Sequence, residues 1–220
     1  MIRLEMQPLE VPLEPRVCCA WASARTELAP GWQELFPVRK LGVVFAGETL
    51  PCFGIWKDTR GARSRVAGLL RAWRHRGPGD FVVELPRQGL DPPLRLAVAR
   101  LDGVATLGKA SESIASIMRR RGGFWWRLRG RHLLGPTDVL KVPLLEASGP
   151  GRNPLVVIRL GPSGGDYERP TELALGRGET YRRYFVCDAP FFLWLGEPRS
   201  RRPRLIARFA GPLGQDSTRR

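Results

Sequence analysis

The chain has 220 residues, 43% hydrophobic and 26% charged, a balance that excludes disorder throughout and leaves enough apolar material for one substantial core without disulfide staples. Lys and Arg number 36 against 21 Asp and Glu, so the formal charge is +15 and arginine carries most of it. Such a field attracts polyanions and repels copies of the same chain, although a GC-rich genome produces the same arginine excess.

Residues 1–39 hold Pro8, Pro12, Pro15, Pro30 and Pro37 and read as an irregular N-terminal segment, with one short helix or strand over 16–28. Glu5, Glu10 and the early prolines interrupt the start and no later apolar run reaches 18 residues, so neither a signal peptide nor a membrane span is expected. An intracellular setting is favoured and the compartment is otherwise open. An apolar strand follows over 41–45 and turns at Gly47. The run 81–85 predicts another strand, with a turn at Pro92-Pro93 and an antiparallel return over 94–99. Ile114, Ile117 and Met118 give residues 105–121 a helical period, ended by Gly122-Gly123. Strands are expected over 139–145 and 155–160.

The densest apolar material lies in residues 184–212. Phe191, Leu193 and Leu195 alternate with Phe192 and Trp194, and Leu205, Ile206 and Phe209 follow the arginine-rich break 197–204. The expected structure is a hairpin of two central strands, each covered on both faces. Residues 214–220 read as a flexible tail.

Little in the chain suggests catalysis. Cys18, Cys19, Cys52 and Cys187 have no C-x-x-C spacing and the histidines are His75 and His132, so no metal site, disulfide framework or cofactor is expected. Cys187 reads as a small buried apolar residue. There is no G-x-S-x-G, P-loop or H-E-x-x-H, and the protein is not expected to be an enzyme. Two basic stretches are candidate polyanion sites. One interleaves Arg119, Arg120, Arg121, Arg127, Arg129 and Arg131 with Phe124, Trp125 and Trp126, a composition suited to stacking on bases or packing on a glycan. The other contains Arg201, Arg202 and Arg204, with Arg208 beyond it. The competing reading puts the aromatics in the core and the arginines on a solvated rim or turn. A nucleic-acid or heparin-like ligand spanning both stretches requires them to converge on one face.

Three ordered segments carry a family resemblance. Phe185, Asp188, Pro190 and Phe191, then Leu205 to Phe209 and Pro212, resemble the C-terminal strand pair of the serpin (serine protease inhibitor) superfamily, with Ala207 in place of a glycine. Phe45, Gly47, Phe53, Asp58 and Thr59 match a second segment, with Thr49 in place of a tryptophan. Residues 81–89 followed by 94–99 match a third. The resemblance implies an α+β, serpin-like fold dominated by antiparallel β-sheets with a few short helices, its core over 40–213 and its N-terminal part reduced. A short form of this kind is similar to the captured copies carried by large DNA viruses.

In that family a protease cleaves an exposed loop, which then inserts into a sheet and traps the enzyme. The matching connection is 161–183, and family spacing puts the scissile bond at 176–179, where Arg177 followed by Gly178 suits a trypsin-like protease. The N-terminal half of this connection is chemically unsuited to insertion. Pro170 has no N–H for a ladder, and Asp166, Glu168 and Arg169 carry charge. The expected function is a non-inhibitory serpin-like binding protein. The alternatives are an active serine protease inhibitor with arginine at the scissile position and a basic nucleic-acid-binding protein.

Overall fold

The computed structural model describes residues 1–29, 36, 38–56, 69–86, 93–119, 133–134, 138–160, 183–200 and 202–211. The largest sheet has seven strands, in the order β2 (Glu5–Met6), β3 (Cys19–Ala22), β15 (Leu205–Phe209), β14 (Phe191–Gly196), β9 (Arg95–Arg100), β8 (Asp80–Glu84) and β7 (Arg71–Gly77). A four-stranded sheet has the order β13 (Arg183–Val186), β10 (Asp138–Pro143), β6 (Glu48–Ile55) and β5 (Val38–Phe45). Another four-stranded sheet has the order β1 (Ile2–Arg3), β11 (Leu145–Ser148), β12 (Val156–Leu160) and β4 (Thr26–Leu28).

The expected hairpin is present. β14 and β15 pair antiparallel from Phe191↔Phe209 to Leu195↔Leu205, and every residue of both strands is buried. Strands apolar on both faces need a layer on each side, and the fold supplies both. On one side Phe191 stacks on Phe209 at 5.1 Å and meets Phe45 of β5 edge-on at 5.8 Å. That contact joins two segments of the family resemblance. Leu4, Ile158, Leu140 and Phe185 belong to the same apolar core, so all three sheets share it.

The other side is covered by α1 (Leu107–Arg119). Thr106 caps it, its hydroxyl accepting from Lys109 N–H at 3.1 Å, a contact of about 1 kcal/mol. Ala110, Ile114, Ile117 and Met118 face Val82, Ala97, Phe192, Trp194 and Ile206. Trp194 lies beneath the helix and its indole Nε1–H donates to the buried Ser111 hydroxyl at 3.0 Å. β8 and β9 pair antiparallel, and β9 pairs with β14, so 81–84 and 191–195 are in one sheet.

Two expectations fail locally. Residues 2–28 contribute four strands where the prolines suggest irregular chain. Pro8, Pro12 and Pro15 fall between β2 and β3, and the strands form by pairing with distant partners: Ile2↔Ala147, Glu5↔Cys19, Ala20↔Ala207 and Thr26↔Val156. Residues 139–145, expected as one strand, divide between β10 and β11 in different sheets. Pro143 closes β10, Leu144 N–H continues its ladder with β6 by one more bond to the Pro51 carbonyl at 2.8 Å, and Leu145 then enters β11 opposite Leu160.

Candidate functional site

The 22-residue connection 161–182 leaves the end of β12 and returns at the start of β13, in a different sheet. Leu160 pairs with Leu145 and Arg183 with Asp138. The path back along 145–138, with one strand spacing at each end, is at most about 33 Å, whereas 22 extended residues reach about 70 Å. Length therefore puts no tension on the anchors.

β13 is an edge strand, parallel to β10. At its start Arg183 Nε donates to both carboxylate oxygens of Asp138 at 3.1 Å, and Nη2 donates to Oδ2 at 2.5 Å and to the Leu133 carbonyl at 2.9 Å. The guanidinium carbon lies 5.5 Å from the Phe185 ring centre. Just past the end of β13 an ion pair joins Asp188 to Arg100, whose guanidinium also donates to the Val186 carbonyl at 3.1 Å. Between them Cys187 N–H donates to the Lys141 carbonyl at 3.0 Å, and complete burial pushes the Cys187 thiol pKa up. On the inner side His75 of β7 packs on Phe185 at 4.9 Å, with Nε2 3.2 Å from the Tyr184 carbonyl. The return anchor of the connection is thus held at both ends by arginine–carboxylate pairs.

The departing strand is occupied on both edges. β12 pairs antiparallel with β11 from Leu145↔Leu160 to Ser148↔Val157, and parallel with β4 through Val156↔Thr26, Val157↔Glu27 and Ile158↔Leu28. A third strand can join β12 only by displacing one of these. Arg159 reinforces both pairings across the surface, donating to Glu27 at 2.7 Å and lying 3.7 Å from Glu146.

Arg177 and Gly178 lie outside the described residues, as do Arg120, Arg121, Arg127, Arg129, Arg131 and Arg201. Arg119 is exposed at the end of α1, and Arg202 and Arg204 are exposed beside the β14–β15 turn. Arg208 does not extend that basic patch. It is 9% exposed, and its guanidinium donates to the carbonyls of Glu14, Pro15 and Val17, which the turn before β3 leaves without ladder partners. Sequence reading also missed the Arg183–Asp138 clamp. Each residue opens an apolar run, but the strands are parallel and 45 residues apart, so no local spacing links them.

Among the described residues no group of three or more His, Cys, Asp or Glu side chains is placed to hold a metal ion, and no helix is long and apolar enough to cross a membrane. The four cysteines are free thiols.

No family model matches the chain, and no curated protein matches it. Solved structures of serpins do. SRPN18 from Anopheles gambiae is 12% identical with a TM-score of 0.40, over 86% of this chain and 54% of that one. Serine protease inhibitor (serpin)-12 of Manduca sexta is 15% identical with a TM-score of 0.44, over 84% and 52%. A tumour-suppressing serpin is 12% identical with a TM-score of 0.40, over 84% and 55%. The chain spans about half the length of these structures.

Proposed function

We propose that the protein is a serpin-like, non-inhibitory binding protein that presents 161–182 to a protease as a cleavable segment and does not insert it. The observation that carries this reading is the occupation of β12 on both edges, by β11 and by β4. Insertion beside β12 breaks either the β11 ladder or the β4 pair, and both belong to the shared apolar core through Ala147, Ile158 and Leu28. The chemistry of the connection points the same way. Its first half contains Pro162, Pro170, Asp166, Glu168 and Arg169, which a central strand has to bury or leave unpaired. The segments carrying the family resemblance support the scaffold side of the reading, since Phe45 and Phe191 meet in the core.

Incubation with trypsin, followed by a denaturing gel, intact mass and a thermal melt, tests this. Cleavage after Arg177 with no SDS-stable adduct is expected. The melting temperature of the cut protein should stay within a few degrees of the intact one, because no new strand has joined a sheet. A covalent protease adduct, or a large rise in melting temperature on cleavage, overturns the proposal.

A further inference from the structure

The seven-stranded sheet is electrically lopsided along its strands. One end lies just beyond the row Arg71↔Glu84↔Ala97↔Trp194↔Ile206↔Trp21, with Leu205↔Ala22 one residue and Gly196↔Arg95 two residues further out. Here β7, β9 and β15 begin and β8, β14 and β3 finish. Arg71 opens β7, Arg204 precedes β15 with Arg199 and Arg202 in the turn before it, and Arg25 follows the Ser23 amide that donates to the Arg204 carbonyl at 3.0 Å. All five arginines are exposed. Among the described residues of this end the exposed carboxylate is Glu197. Glu84 is buried beneath the row, accepting from Trp73 Nε1–H at 2.8 Å and lying 3.7 Å from Arg95, itself over the Trp73 ring at 5.8 Å. The opposite end holds Asp80, Asp102 and Asp188, two of them ion-paired to Arg74 and Arg100. Among the described residues this end therefore carries five exposed arginines against one exposed carboxylate, whereas the opposite end sets exposed Arg76 against Asp80, Asp102 and Asp188.

We propose that this end of the sheet is a binding surface for single-stranded nucleic acid. From β7 to β3 it spans five strand spacings, about 24 Å, with guanidiniums at both sides and in the middle. Arginine forks fit phosphate oxygens two at a time, and the backbone charge of the ligand supplies most of the affinity. The choice of nucleic acid over a sulfated glycan rests on Trp21, which is half-buried at β3 on the flank of the arginine row, whereas Trp73 at β7 already has Arg95 over its ring and Glu84 on its N–H. Partly exposed aromatic rings beside guanidiniums provide stacking surface that flat bases use and a glycan's charges do not. The inference does not depend on the protease reading, since none of these residues belongs to the connection or its anchors.

The test is fluorescence anisotropy of the full chain with a labelled oligothymidylate across salt, alongside heparin. Five contacting arginines give log Kd against log salt a slope of magnitude about 3.5 for a single strand. R199S/R202S/R204S should lower that slope by about 2 and weaken binding by at least roughly tenfold at low salt. A charge-matched control, R3S/R76S/R152S, alters exposed arginines away from this end and should leave the slope within about 0.5 of the parent. Trp21→Leu should weaken the oligonucleotide and leave heparin unchanged, with a thermal melt confirming that each variant is folded. Equal losses in the two triple variants overturn the proposal in favour of unspecific attraction by net charge. Heparin binding with no oligonucleotide binding, or loss of both ligands together in Trp21→Leu, overturns the choice of nucleic acid.

Discussion

Asp138 is 1% exposed and meets Arg183 through three N–H···O contacts, so its charge is compensated inside the fold. Removing one side of such a pair leaves the other charge stranded out of water, at a cost of about 3–5 kcal/mol. Asp138→Ala is expected to lose about 3 kcal/mol in urea unfolding, and Asp138→Leu with Arg183→Met to recover most of it, because two apolar side chains need no partner. A loss below about 1 kcal/mol in the single variant would show that Arg183 reaches water at little cost. The thiols make a second statement at this scale. Burial pushes Cys19 from 9.0 up to about 11, against the opposing pull of Arg208. The folded state therefore holds a proton that the unfolded chain releases. This contribution is intact below pH 9 and is lost as pH rises from 9 towards 11. Urea midpoints should fall across that window, and less steeply in Cys19→Ala. An unchanged slope in the variant contradicts the assignment.

Among the elements, the β5–β6 hairpin shows how a local conformation is imposed by pairing. β5 and β6 pair up to Phe45↔Glu48, which leaves Ala46 and Gly47 as a two-residue turn with φ of 49° and 87°. Tight hairpin turns of this hand need positive φ at both positions, natural for glycine and costing alanine about 1 kcal/mol. Ala46→Asn is expected to raise stability by roughly 1 kcal/mol in a thermal or urea melt, and a neutral or destabilising result would place the strain elsewhere. The same distinction between local and imposed structure decides what could be read from the chain. β8, β9, β14 and β15 were legible because Phe81-Val82-Val83 and Phe191-Phe192-Leu193-Trp194-Leu195 are long apolar runs with strand-favouring side chains. β3 was not, because Cys-Ala-Trp-Ala has little preference of its own and becomes a strand by lying against β15. β1, β2 and β4 have two or three residues each, too few for any periodicity. The site divides likewise: the limits of the connection followed from the flanking strands, while Arg208 looked like surface charge until the carbonyls of the turn before β3 were placed around it.

At the scale of the whole molecule, Ile2, Phe53, Ile158, Phe185, Phe191 and Phe209 share one apolar core across three sheets. No sheet keeps its inner face covered without the others, so unfolding is expected as a single transition, with far-ultraviolet circular dichroism and tryptophan fluorescence tracing the same urea curve. Separated midpoints would mean that one sheet melts alone. The arrangement also bears on how the chain is made. Ile2 waits for Ala147, and Cys19–Ala22 waits for Leu205–Arg208. At about 5–20 residues per second, the first of these intervals is roughly 7–30 s on the ribosome and the second roughly 9–37 s. During that time Leu4, Ala20 and Leu28, which end up buried, have no sheet to enter. The nascent chain thus exposes the apolar side chains of residues 2–28 while β15 is still unmade, so its yield in a cell should depend on holding chaperones more than on its final stability.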